Sequence, residues 1–332
     1  MDQHPSSPGG ATLAAFSGAV LIGGANFIAV RFSNEELDPL FGAALRFGLA
    51  TLLFLLIARV TGAPFPRGRA AAGAALYGLL GFGAAYGLLY YALVGLTAGT
   101  TSVITAAAPL ITLVLAVLHG QEGFSTRGVV GGGLAIGGLA VLSAGNLGGD
   151  LRPAYLIAAM LGVVAIGGSS VVVKDFPKAH PVTTNAVGMA TGTAFLIVTS
   201  IALQEQWAFP REGRTWLALS WLVVLGSVAL FLLFLYVIKR WTASASVYAI
   251  TMMPVVAVTL GALIADEPIT AEVLAGGALV IAAVYVGAIS GTRKPRGFGP
   301  RNRLRRPPRS LPRGGPDRVM DRWLTSPEEG SS

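Results

Sequence analysis

Apolar residues run along this chain in long blocks, and short polar or charged stretches separate one block from the next. A helix needs about 20 apolar residues to cross about 30 Å of hydrocarbon. Blocks of that kind fall at 12–32, 40–60, 72–95, 98–118, 128–145, 153–173, 184–203, 216–239, 244–264 and 271–290. The pattern predicts an all-α polytopic membrane protein with ten transmembrane helices. The fifth block, GVVGGGLAIGGLAVLSAG, is short and glycine-rich, so composition defines its ends least well.

The blocks repeat. Residues 98–122 begin with small and hydroxylated residues, pass through Pro109, continue as an apolar half-helix and end on Glu122 just before Ser125. Residues 243–267 do the same through Pro254, ending on Glu267 just before Thr270. Laid on one another without a gap, 98–141 and 243–286 share ten identities, among them the proline, the glutamate and a Gly-Gly pair. The chain therefore divides into a polar segment at 1–11, a five-helix repeat at 12–145, a second at 153–290, and a basic tail at 291–332. Five spans are an odd number, so the second repeat enters the membrane upside down, an inverted repeat.

Composition changes this picture little. The chain has 332 residues, 53% hydrophobic and only 12% charged, too few charges to cover a soluble domain of this length. Forty-four glycines without a three-residue period suit close helix contacts in lipid. The GxxxG spacings Gly83–Gly87, Gly133–Gly137 and Gly188–Gly192 are expected to make such contacts. No cysteine is present, which excludes disulfides and thiolate chemistry, and three scattered histidines do not make a metal site. No Ser-His-Asp set or carboxylate pair lies within the blocks, so neither an enzyme nor a cofactor is expected. The first residues, MDQHPSSPGGA, lack the basic start of a signal peptide.

Charge sets the expected orientation. Arg59, Arg67, Arg69, Arg127, Lys174, Lys178, Lys239 and Arg240 fall in one set of loops, with the basic tail. Arg31, Arg152, Arg211 and Arg214 fall in the other, beside Glu35, Glu36, Asp38 and Asp266. The excess of basic residues predicts cytoplasmic N- and C-termini. The tail carries eleven Arg or Lys and four acids, has no apolar period and is expected to be disordered. It either touches anionic lipid headgroups or simply fixes topology. Nothing modular or aromatic in it points to nucleic acid.

Candidate substrate-binding residues are the polar and aromatic groups inside the blocks. Arg46 is the one charge well inside a span; it serves either as partner to an anion or as a structural arginine reaching toward Glu35, Glu36 or Asp38. Asn26 in GGANFIAV and Ser169 and Ser170 in GGSSVVV occupy matching places in the first helix of each repeat, as ligand groups or as interhelical glue. Tyr86 and Tyr248 supply amphipathic rings. Thr105, Thr251 and Met252 lie within a turn of Pro109 or Pro254, whose missing amide frees a carbonyl or merely kinks the helix.

These residues resemble the EamA type of the drug/metabolite transporter superfamily. The resemblance rests on Gly24-Ala25-Asn26-Phe27, on Leu45-Arg46-Phe47 after Pro39, and on the small-residue run to Pro109 followed by Gly120-Gln121-Glu122. In the second repeat it rests on Ala245-Ser246, Pro254 and Glu267-Pro268. It covers about residues 12–290 and is weakest through the sixth and seventh helices. It implies an inner-membrane secondary carrier of small organic solutes, such as amino acids, nucleobases or drugs, exporting or exchanging by alternating access. A central cavity would lie between spans 1–4 and 6–9, with spans 5 and 10 peripheral and the protein a monomer in the bilayer. The chain departs from the family in the Gln121 insertion and in having no carboxylate deep in a span. A scaffold or sensor that keeps the fold and moves nothing is the alternative.

Overall fold

The structure, a computed structural model, describes residues 10–121, 126–146, 153–240 and 243–286. At 142–146, 235, 238–240 and 243–248 it describes the backbone alone. Residues 1–9, Glu122 and the basic tail lie outside the described residues. Every regular element among the described residues is helical. The helices are α1 (Gly10–Ser33), α2 (Pro39–Thr61), α3 (Arg69–Gly95), α4 (Ala98–Leu118) and α5 (Thr126–Asn146). They continue with α6 (Pro153–Asp175), α7 (Pro181–Ala202), α8 (from Gly213 to Arg240), α9 (Ala243–Ile264) and α10 (Ala271–Val284). Seven of these, α1–α4 and α6–α8, are long and apolar enough to cross a membrane. The apolar stretches described in α5, α9 and α10 are shorter: Thr126–Val141, Ala249–Ile264 and Ala271–Val284.

Sequence explains the breaks. Pro109 cannot donate to a helix, and α4 divides at Ala107 into Ala98–Ala106 and Ala108–Leu118, with the proline in the first turn of the second half. Pro254, by contrast, lies inside α9, which runs on through it. Thr97 and Thr270 cap α4 and α10, each side-chain oxygen accepting from an amide three residues on. Two π-helical segments interrupt otherwise α-helical spans, Leu79–Ala84 in α3 and Val224–Ala229 in α8. The same offset that lays Ala98 on Ala243 lays Leu79 on Val224, so the repeat register extends through α3 and α8.

Contacts between helices follow the repeat. α2 packs on α7, α5 on α10 and α4 on α9; α1 packs on α8 and α9 as α6 packs on α3 and α4. Glycines set the close crossings. Gly24 of α1 lies against Val256 and the Met253 carbonyl of α9, while Gly167 of α6 lies against Ile111 and the Thr112 amide of α4. Two of the expected GxxxG spacings face each other: Gly192 packs on Phe82 and Gly83, and Gly188 on Tyr77 and Gly78. The third is corrected. Among the described residues nothing lies within 4 Å of a side chain at Gly133 or Gly137, and Gly138 meets the Gly276 carbonyl of α10 instead. One residue is 100° of helix, and the heptad-free glycine run offered several faces with no sequence signal to choose among them.

The bundle has two chemically distinct ends. One gathers the α1–α2, α3–α4, α7–α8 and α9–α10 connections, and acids there close helix N-termini across the repeats. The Glu205 carboxylate accepts from the amides of Leu40 (3.0 Å) and Phe41 (2.8 Å), at the start of α2. Glu36 accepts from the amides of Arg211 (3.0 Å) and Glu212 (3.1 Å), just before α8. The neighbouring Thr215 hydroxyl, and then the Glu212 amide, hold the Glu36 carboxyl below the usual carboxylate range. Asp38 accepts from Gln206 N at 2.6 Å. The other end gathers the α2–α3, α4–α5 and α6–α7 connections, where Arg67, Arg69, Lys174 and Lys178 lie.

Candidate functional site

A cavity of about 870 Å³ lies between the two repeats. Its lining comes from α1–α4, α6–α9 and the α6–α7 connection, and among the described residues none of α5 or α10 takes part. That size suits a small organic ligand. The cavity reaches the exposed residues Lys174, Pro177 and Lys178 at the basic end. Toward the acidic end its lining residues Val30 and Leu93 are buried.

Arg46 forms the polar centre. It projects from the start of the third turn of α2 into the bundle interior and is 1% exposed. Its Nε donates to Ser227 Oγ (3.0 Å), Nη2 to the Gly226 carbonyl (3.0 Å) and Nη1 to the Tyr90 hydroxyl at a long 3.5 Å. The guanidinium also lies 5.0 Å from the Phe47 ring centre and 5.2 Å from that of Tyr86. The expected reach toward Glu35, Glu36 or Asp38 is not made. Glu36 and Asp38 accept amides of the α7–α8 connection, and Glu35 pairs with Arg214 at 3.7 Å. Arg46 instead holds α2 against the π segment of α8.

The π segment explains why a carbonyl is there to take. An i→i+5 turn loosens the normal ladder, and Ser227 Oγ donates back to the Leu222 carbonyl at 2.9 Å. Gly226, inside that segment, presents its carbonyl to Arg46 and to Asn26 Nδ2 (3.2 Å). A side chain at Gly226 would overlap the Asn26 amide. The matching glycine of α3, Gly81, lies against Ser169: a side chain there would meet its Oγ at 3.2 Å. So Asn26 and Ser169 sit in equivalent places, each against the π segment of the other repeat.

The candidate residues divide as follows. Asn26, Arg46, Tyr86, Thr105, Ser169 and Ser170 all line the cavity. The hydroxyls of Thr105, Ser169 and Ser170 donate to carbonyls of their own helices, Thr101 O at 2.8 Å and Ile166 O at 2.7 and 3.1 Å. Thr251 and Met252 lie off the lining: Thr251 is buried between helices and Met252 is 39% exposed on the outside. Ile250 and Met253 of α9 face the cavity in their place, one helical turn apart. Tyr248 falls where only the backbone is described. Tyr77 and Asn185, which the sequence pattern does not mark as candidates, also line the cavity, as do Tyr90 and Lys178. For Asn185 a signal existed, a lone amide in the apolar block TTNAVGMATG.

At the closed end, Glu267 joins three helices. It is 7% exposed, pairs with Arg31 of α1 and accepts from the amides of Ala98 (2.8 Å) and Gly99 (3.2 Å), which open α4. A carboxylate at a helix N-terminus is favoured by the free amides and by the helix dipole. This clasp stands one residue from Val30, which lines the cavity.

Comparison with known proteins agrees with this architecture. A model of the EamA-like transporter family matches residues 10–144 and again 153–288. The uncharacterized inner membrane transporter YedA of Escherichia coli K12 is 30% identical over 272 residues, covering 80% of this chain and 87% of its own. An uncharacterized transporter of Archaeoglobus fulgidus is 25% identical over 281 residues, covering 79% of this chain and 93% of its own. One crystal structure superposes with a TM-score of 0.59 at 18% identity over 86% of this chain and 99% of that one, a likeness of fold alone. With the family's unit matched twice across nearly all of its helical part, the chain is a multi-pass membrane protein that belongs to the EamA-like transporter family.

Proposed function

We propose that the protein is a ten-span secondary carrier of the inner membrane that exports or exchanges a small organic solute by alternating access. Its two five-helix repeats lie in opposite orientations, with both termini in the cytoplasm. The observation that carries this reading is the cavity: both repeats line it, it reaches exposed residues at the basic end, its lining toward the acidic end is buried, and the Glu267 clasp there ties together α1 and α4, two of the helices that line it. In an inverted repeat the same unit takes two packings, and exchanging them moves the opening to the other side. The basic end is the cytoplasmic one by its Arg and Lys, so this conformation faces inward.

Two experiments test it. Reporter fusions after Pro66 and after Arg293 are expected to read cytoplasm and a fusion at Asp38 outside; an outside reading at Arg293 removes the ten-span count. The second measures solute exchange in proteoliposomes. Asn26→Ala in the first repeat and Ser169→Ala in the second are each expected to weaken it about threefold to tenfold without lowering abundance, the loss of one neutral hydrogen bond. If only one repeat responds, the shared central site is wrong. If no solute exchanges and a protein partner co-purifies instead, the fold serves as a scaffold or sensor.

A further inference from the structure

We propose that the cavity takes an organic anion, a carboxylate or comparable oxyanion on an apolar or aromatic body, in preference to amines and zwitterions. The inference rests on the carrier reading above and names its substrate class. The charged residues of the lining are Arg46 in the interior and Lys174 and Lys178 at the mouth; no Asp or Glu lines it among the described residues. Glu267, Glu205, Glu36 and Asp38 accept backbone amides at the closed end, and Asp175, at the open end but off the lining, accepts from Gln121 Nε2 at 3.0 Å. Arg46 therefore carries a full charge in the interior against neutral dipoles and ring faces alone. That is a costly arrangement which an incoming anion relieves.

The guanidinium also has capacity to bind. Of its five N–H groups, three are engaged, one of them at 3.5 Å, which leaves one on each terminal nitrogen. Paired N–H groups of that kind match the two oxygens of a carboxylate. Around it, Phe82, Tyr86, Tyr77, Phe231 and Phe234 offer apolar and aromatic wall. An ammonium entering the same place would meet Arg46 as a like charge and find no carboxylate. Asn26 Oδ1, the unpartnered acceptor nearby, is buried against Gly226 rather than open to the cavity. Lys178, exposed at the mouth, raises the local concentration of anions before they enter.

The test uses four probes with one body: 3-phenylpropionate, 3-phenylpropionamide, phenylalanine and 3-phenylpropylamine. Binding is read as thermal stabilisation of the purified full chain in detergent. The propionate is expected to bind at least about tenfold more tightly than the other three, the worth of one charge-assisted contact. Arg46→Gln is expected to weaken the propionate about tenfold to a hundredfold and the amide by less, about threefold. Lys178→Gln, at an exposed position, should weaken it about twofold to threefold, an effect that fades with added salt. Should Arg46→Gln fail to fold, the salt dependence and Lys178→Gln decide. Flux is followed separately with 3-phenylpropane-1-sulfonate, whose permanent charge keeps it from crossing lipid unaided. Anion binding without flux upholds the anion site and overturns the carrier reading. Preference for the amine or for phenylalanine, or no stabilisation by the propionate, overturns the anion site whatever the flux shows.

Discussion

Replacing Gly78 with alanine is expected to destabilise the protein by about 3 kcal/mol, while the same change at Gly188, on the other side of one helix crossing, costs less than about 1 kcal/mol. The two glycines meet where α3 crosses α7. A Cβ on Gly78 would fall on the backbone of Gly188 and on Thr191 Oγ1, and a backbone cannot rotate aside as a side-chain tip can. A Cβ on Gly188 would stand 3.2 Å from the Tyr77 ring and 3.4 Å from the Ala74 carbonyl, contacts that a small adjustment relieves. Alanine favours a helix by up to about 1 kcal/mol over glycine, a gain available at both sites. At Gly188 it roughly offsets the crowding. At Gly78 overpacking wins, since forcing α3 from α7 also loosens Gly192 from Phe82 and Gly83. The melting midpoint in detergent and the membrane abundance of the two variants measure this. Equal losses at both sites would show that the crossing is looser than the contacts imply.

Much of this was legible in the chain. The apolar blocks place the helices because lipid demands continuous apolar stretches, and the offset between Pro109 and Pro254 holds across the second half of each repeat. Arg46 and Asn26 stand out since a charge or an amide in an apolar block is rare. What these residues hold was not legible. A π segment has no composition of its own, so nothing announced that Gly226 would offer its carbonyl to both. Nearness to Pro254 marks Thr251 and Met252 in the sequence. Helical phase decides instead: Ile250 and Met253 share the inward face, and the two residues between them are turned 100° and 200° away. The caps by Glu36 and Glu205 join positions more than 160 residues apart, and only the folded bundle brings them together. Glu122, the partner of Glu267 in the repeat, lies outside the described residues.

Glu267→Ala is expected to move the opening of the cavity from the basic end to the acidic end. Glu267 ties α1, through Arg31, to the first turn of α4, and both helices line the cavity. The Arg31 side chain is 38% exposed, so solvent screens the ion pair and its share is about 0.5 kcal/mol. The two amides donate to a buried carboxylate at a helix start, charge-assisted bonds that contribute more, about 1.5 kcal/mol together. A total of about 2 kcal/mol corresponds to about a thirtyfold change in the ratio of the two packings. The chain contains no cysteine, so single cysteines report accessibility without background. Val30→Cys, buried beside the clasp, should react about tenfold or more faster with a membrane-impermeant thiol reagent from the outer face once Glu267 is lost. Lys178→Cys at the mouth should react more slowly from the inner face in the same background. Opposite changes at the two ends are the signature of a shared equilibrium, as alternating access requires. Mere loosening would quicken both reactions, and a clasp that only caps α4 would change neither while lowering the melting midpoint. Glu267→Gln keeps the shape and an acceptor oxygen for the amides but not the charge, so it is expected to fall between the native chain and the alanine variant.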